Sequence, residues 1–492
     1  MKRRGLLLVM TLFLSACGQE PAAPTSAAEP PAPAGTEPPA NENPLLAEWD
    51  TPLGVPPFDR IRSDHYLPAL REGMRRERAE IAAIVENPEP PTFTNTVEAL
   101  ERAGAALERT ARVFYAVNGA HSDEVIRETA RTVAPELSGH DDDILLDPAL
   151  FGRIDAVWQA RDRLDLDAEA HRLLEETHKE FVLAGAALGD EARARLKEIN
   201  GRLAVLEEEF QQNVLEETNR FELLVTDPAD LGELPASLVA SAAAEAERRG
   251  HDCEECWVFT LQRPSIEPFL EYSPNRELRK RIFTGYAMRG DQGNEADNNA
   301  VVTEMVALRA ERARLLGFDN HAAAVLVDRM AQTPERVYAL LDEIWEPALA
   351  MAKRERDALT AMLRADGIEG ELEPWDWRYY TEKLRRERYD FDEQALRPWF
   401  EFSAVRGAAF ELAGRLFGLT FEERSDLPRW HPDQQVFEVF DADGSHLAIL
   451  YMDWFARESK RGGAWMNALR QQSNLDGFVT PVVTNNFNFP AP

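Results

Sequence analysis

Apolar positions recur at helical spacing through most of the chain. Leu196, Ile199, Leu203, Leu206 and Phe210 follow at intervals of three and four, the seam of a helix packed on a neighbour. Asp64 to Glu86 reads as an amphipathic helix, with Ser63 as its cap and Pro68 in the first turn. Asn95 and Glu98 have the spacing of a helix start, and that helix is expected to reach about Tyr115. Further helices are predicted at 276–290, 297–316, 334–366, 376–388 and 403–417. Strand patterns are few. They cover Trp257 to Leu261, Gln435 to Phe440, His446 to Met452 and Phe478 to Thr484. Asp441-Ala442-Asp443-Gly444 joins the second and third of these as a hairpin turn. The class expected is mostly α with a few short strands.

The first 43 residues break this pattern. Lys2, Arg3 and Arg4 precede a short apolar run, Gly5 to Leu14, too short to span a bilayer as a mature helix. Leu14-Ser15-Ala16-Cys17 resembles a lipobox, which makes 1–17 a lipoprotein signal peptide with Cys17 as the lipidated residue. Gly18 rather than Asp follows, favouring the outer over the inner membrane, so the expected location is the cell envelope, facing the periplasm. Residues 18–43 are rich in Pro and Ala and read as a flexible tether. The body divides into an N-terminal helical region, 44–250, and a second region, 251–492.

The length of 492 residues gives ample core, and a formal charge of −32 repels phosphate backbones, so nucleic acid is not an expected partner. Membrane contact is expected through the lipid anchor only.

Candidate chemistry narrows quickly. A zinc-peptidase helix needs His-Glu-x-x-His, so that two imidazoles leave one face and the Glu activates the metal-bound water. The nine histidines are followed by Tyr66, Ser122, Asp141, Arg172, Lys179, Asp252, Ala322, Pro432 and Leu447, never by Glu. His171, Glu175 and His178 share one helical face, but a di-iron site would need a second Glu-x-x-His, and a solvated face is the reading preferred. His251, Cys253 and Cys256 leave a loop disulfide, inert thiols, or a metal or redox site open, the Cys253–Cys256 disulfide being preferred. The Asp441 turn lacks the further oxygen ligands of a calcium loop. No phosphate loop or Gly-x-Ser-x-Gly elbow occurs.

A series of segments in order carries a resemblance. These are Asp64-His65-Tyr66-Leu67-Pro68-Ala69-Leu70, Pro91-Thr92-Phe93-Thr94-Asn95-Thr96-Val97-Glu98-Ala99-Leu100, and Pro268-Phe269-Leu270 with Asn275-Arg276-Glu277-Leu278-Arg279. Leu315-Leu316-Gly317-Phe318 with Arg329-Met330-Ala331 follows, then Trp375-Asp376-Trp377-Arg378-Tyr379-Tyr380. The last is Tyr451-Met452-Asp453-Trp454-Phe455-Ala456-Arg457 running into Lys460-Arg461-Gly462-Gly463-Ala464-Trp465-Met466. Together they resemble the thimet oligopeptidase family, nearest its bacterial peptidyl-dipeptidase and oligopeptidase A branch.

The resemblance implies a two-lobed helical ellipsoid around a deep channel that admits short unfolded peptides, which one zinc ion hydrolyses. Zinc is expected for the full-length family, its ligands lying after the segment that matches Pro481 to Phe489. None is expected to be bound by this chain, so no catalytic and no metal residue is carried over. The catalytic portion is expected to be incomplete and the chain a C-terminally truncated, inactive form; a separately encoded catalytic fragment is a possible partner. Gly463-Ala464-Trp465 resembles the strand edge that pairs with substrate backbone in such peptidases, and a buried turn with Trp465 in the core is equally open. The alternative function is a non-catalytic, peptide-binding envelope lipoprotein.

Overall fold

Amphipathic repeats with few interruptions make helix follow helix along most of the chain. The computed structural model describes residues 43–253, 255–390 and 393–490. Tyr66–Val85 (α1), Ala99–Arg102 (α2), Ala105–Ala120 (α3), Glu124–Leu145 (α4), Pro148–Ala160 (α5), Ala168–Ala184 (α6) and Asp190–Arg220 (α7) come first. Ala236–Arg248 (α8), Arg263–Tyr272 (α9), Arg276–Ala287 (α10), Asn299–Leu315 (α11), His321–Leu326 (α12), Pro334–Ala365 (α13), Trp377–Tyr389 (α14), Glu393–Leu396 (α15) and Phe402–Phe417 (α16) follow. The fold is mostly helical, as the pattern predicts.

The helix expected from Asn95 to Tyr115 is two helices. Thr92 caps a π-turn at Phe93–Glu98, and the chain breaks at Gly104 between α2 and α3. Gly104 sits at φ +75°, and its amide donates to Glu80 Oε2 at 2.7 Å. A Cβ there would stand 2.3 Å from Glu77 Oε1, so the position needs glycine for both conformation and space. In the α7 seam Leu196, Ile199, Leu203 and Leu206 are buried, whereas Phe210 is exposed.

Leu223–Val225 (β1) and Trp257–Phe259 (β2) form an antiparallel pair. The larger sheet contains Thr420–Glu423 (β3), Gln435–Phe440 (β4), His446–Phe455 (β5), Trp465–Arg470 (β6) and Val482–Phe489 (β7), in the order β3-β4-β5-β7-β6. β7 runs parallel to β5 and antiparallel to β6, so it separates two strands that precede it in the chain. The β4–β5 turn closes as expected, with the Gly444 amide donating to the Asp441 carbonyl at 2.9 Å. The last strand lies later than the predicted 478–484. Pro481 has no N–H for a ladder, and Phe478 and Val479 are exposed.

The sheet has two covered faces. Ile449, Tyr451, Val482 and Leu469 join Tyr66, Leu70, Val113 and Phe114 in the main core, which binds the sheet to the N-terminal helices. On the other face Phe402 and Phe410 of α16 pack on Trp454 and Phe437, with ring centroids 4.7 and 4.9 Å apart. A buried cluster fixes α10 to the start of α14: Asp376, fully buried, accepts from Arg279 at 2.9 Å and from Arg276 at 2.6 Å. The first half of α13 keeps Tyr338, Leu341, Ile344 and Trp345 exposed.

Candidate functional site

β6 is the last strand of the sheet, so only one of its edges is paired. Trp465 opposes Asn486, Met466 opposes Asn485, Asn467 opposes Thr484 and Ala468 opposes Val483, all on β7. Among the described residues no strand pairs with the outer edge. Met466 and Ala464 are exposed there, while Trp465 turns inward and is 8% exposed. The Gly463-Ala464-Trp465 stretch thus combines an open bend with a buried anchor: Gly463 at φ +97° has nothing near its Cβ position, and Trp465 opens the strand.

Behind this edge lies a buried polar row. Asp453 of β5 pairs with Asn486, which pairs with Trp465, so the three share one face. Asp453 is fully buried and accepts from Arg457 Nη1 at 2.8 Å, Lys460 Nζ at 2.6 Å and Trp430 Nε1 at 3.1 Å. Burial alone would raise the Asp453 carboxyl; Arg457 and Lys460 outweigh it and hold the group below its ordinary value. Burial pushes the Lys460 ammonium down to about 8, against the pull of Asp453, so both partners are charged at neutral pH.

The loop between β5 and β6 is also stitched to the end of α3. Arg457 Nη2 donates to the Ala120 carbonyl at 2.6 Å, the Ser122 amide to Ser459 at 2.8 Å, and the Arg461 amide to Gly119 at 3.0 Å. His121 Nδ1 lies 3.3 Å from Ser459 Oγ, and its ring meets His431 edge-on at 5.3 Å. Burial and the nearby Arg457 lower both imidazoles, so the pair is neutral at pH 7.

Among the described residues no three His, Cys, Asp or Glu side chains stand together as a metal site. The Asp453 carboxylate is fully engaged by cations and an indole N–H. His178, expected on a solvated face, instead stacks on Trp158 at 4.8 Å and lies 3.1 Å from Asp155 Oδ1. Tertiary packing overrides the helical-face pattern there. The Cys253 and Cys256 sulfurs are joined, 2.09 Å apart, which removes them as thiolate ligands. Cys17 lies outside the described residues.

Residues 269–492 match the model of Peptidase family M3. The chain is 40% identical over 453 residues to a dipeptidyl carboxypeptidase of Salmonella typhimurium, covering 92% of this chain and 66% of that protein. The chain belongs to peptidase family M3. The M3 chain is also 33% identical to an oligopeptidase A of the same organism, over 91% of itself and 66% of that protein. It is 30% identical to a probable cytosolic oligopeptidase A of Arabidopsis thaliana, over 88% of itself and 62% of the relative. It therefore spans about two thirds of the length of the curated relatives it matches.

These relatives correct one expectation. The envelope lipoprotein location, with the outer membrane favoured, is at odds with kinship to peptidases of which one is named cytosolic. No helix among the described residues is long and apolar enough to cross a membrane. The lipoprotein expectation rests on residues 2–18 alone, a local pattern of charge, apolar run and cysteine that lies outside the described residues.

The polar row escaped the sequence reading. Asp453, Arg457 and Lys460 stood in a segment that carried the resemblance, but a salt cluster closed across β5, β7 and α3 has no local signature. The run Thr484-Asn485-Asn486-Phe487-Asn488-Phe489 shows only a partial alternation, so little local signal was available.

Proposed function

We propose that these residues form the peptide-holding part of an M3 peptidase acting on short unfolded peptides, of the peptidyl-dipeptidase or oligopeptidase type. The observation that carries this is the open edge of β6, beginning at Gly463-Ala464-Trp465. An extended peptide can add to such an edge through backbone hydrogen bonds, with little demand on side-chain identity. Ala468 indicates which groups are offered. Its carbonyl accepts from Arg112, on α3, at 3.4 Å, and we take that bond to mark the side of β6 facing away from β7. With a repeat of two, Met466 and Ala464 turn their N–H and C=O groups the same way. Arg112 closes the far end of this edge, leaving the stretch from Gly463 to Met466 for substrate.

Among the described residues no side-chain cluster fits zinc, so the zinc ligands and the general base are not assigned to them. No hydrolytic step is assigned to the side chains described. The two-lobed form around a deep channel, and the division at 250/251, belong to the same proposal. Narrow access would select unfolded peptides.

The test is binding of a dye-labelled, alanine-rich peptide followed by fluorescence anisotropy. Met466→Pro removes one outward N–H and is tolerated at a sheet edge. Binding by the wild-type chain, at least about tenfold weaker in Met466→Pro and indifferent to chelator, supports the proposal. Chelator-sensitive cleavage of the peptide by the isolated chain would refute the placement of the metal site.

A further inference from the structure

Lys460 is 1% exposed and has the fullest hydrogen-bond set of any buried cation near the edge. Its Nζ lies 2.6 Å from Asp453 Oδ1, 2.7 Å from the Phe455 carbonyl, 3.0 Å from the Phe487 carbonyl and 3.2 Å from the Asp453 carbonyl. Phe455 ends β5 and Phe487 lies near the end of β7, so one ammonium joins the finishing ends of two parallel strands. The ladder shifts register between Asp453 and Phe455, which turns carbonyls there toward the ammonium. A buried charge is costly unless its hydrogen bonds are complete, and here they are.

We propose that Lys460 is the positioning residue of the peptide-binding edge, holding the loop at 456–464 so that β6 begins at a fixed height beside β7. This rests on the edge reading given above. Besides its stitches to α3, the loop is tied to the sheet at two places. On one side Lys460 grips β5 and β7, and its own amide closes a turn on the Arg457 carbonyl at 3.0 Å. On the other, Asn488 Nδ2 of β7 donates to the Arg461 carbonyl at 3.0 Å and the Gly463 carbonyl at 2.6 Å. Gly463, itself an anchor point of the second tie, is the hinge from which β6 starts. Its left-handed backbone and empty surroundings leave it free to swing unless both neighbours are tied. Lys460 touches no substrate in this arrangement; it acts through the position of Ala464 and Met466.

The variants are Lys460→Met, which keeps the stem and removes the ammonium, Asn488→Ala, which cuts the second attachment, and Met466→Pro. Each is assayed in the full chain for labelled-peptide binding, for amide hydrogen exchange at 456–466, and for urea midpoint. The expected result is exchange at 456–466 at least about tenfold faster in Lys460→Met, with α1 and α7 unchanged, and peptide affinity weaker by about tenfold. If Lys460→Met lowers only the urea midpoint while peptide affinity and local exchange stay at wild type, the lysine is structural and the proposal falls. If Lys460→Met does not fold, Asn488→Ala decides: tenfold weaker binding supports the tied loop and unchanged binding overturns it. If Met466→Pro binds as tightly as wild type, the edge reading itself fails and takes the proposal with it. Loss in Met466→Pro with no change in the two loop variants leaves the edge standing and removes Lys460 from it.

Discussion

Asp142→Asn should stabilise the chain at neutral pH and lose part of that gain on acidification. Asp142 lies on α4 where α4 packs on α7, 6% exposed. Its Oδ1 accepts from Asn200 Nδ2 at 2.8 Å, and its Oδ2 is buried with no partner. Burial raises the carboxyl from 3.8 to about 6, against the hydrogen bond of Asn200 and the charge of Lys197. The folded state then holds a proton more tightly than the unfolded chain between those two values. Wild-type stability therefore gains as pH falls through about 6, and the penalty for the bare carboxylate is present in full above that. The gap is worth about 3 kcal/mol at most. The asparagine amide that replaces Oδ2 is an unpaired buried donor costing about 1–2 kcal/mol, so the net gain at about pH 7.5 is about 1–2 kcal/mol. At about pH 5.5 the advantage should be smaller by about 1 kcal/mol. Urea denaturation followed by circular dichroism gives the difference, and amide exchange in α4 and α7 reads the same free energy locally. A variant less stable than wild type at pH 7.5, or a difference independent of pH, would refute the reasoning.

Asp376→Ala strips the buried Arg279 guanidinium of its carboxylate and should cost about 3–5 kcal/mol, seen as a lower urea midpoint. Gly104→Ala places a methyl against the Glu77 carboxylate at a positive φ; a loss of about 1–3 kcal/mol is expected, with faster amide exchange at the start of α3. A gain in thermal stability from Gly104→Ala would show that the α2–α3 break is not required.

The helical character, the hairpin at Asp441–Gly444 and most of the α7 seam were legible because each depends on residues close in sequence. The break at Gly104 was not, since one glycine inside a helical pattern is ordinarily tolerated. Its cause is Glu77, an earlier helix away. β3 and β6 escaped for a different reason. Thr420-Phe421-Glu422-Glu423 and Trp465-Met466-Asn467-Ala468 lack clean alternation, because edge strands are half-exposed on both faces. For the site, the Gly463-Ala464-Trp465 segment was visible through resemblance. The structure buries Trp465 and leaves Ala464 exposed. The Asp453–Lys460 pair was invisible because its partners are main-chain carbonyls brought together only by the parallel pairing of β5 and β7.

That parallel pairing also sets an order of events during synthesis. β5 can pair at once with β4, but β6 shares no ladder with either and waits for β7 to come between it and β5. The N-terminal helices can assemble from near neighbours while the chain is still growing, whereas the sheet needs residues 482–489 before it can close. The open-edged strand β6 is thus among the last pieces to find its place, and a nascent chain stalled before residue 482 would carry finished helices beside a three-stranded sheet and one unpaired ribbon.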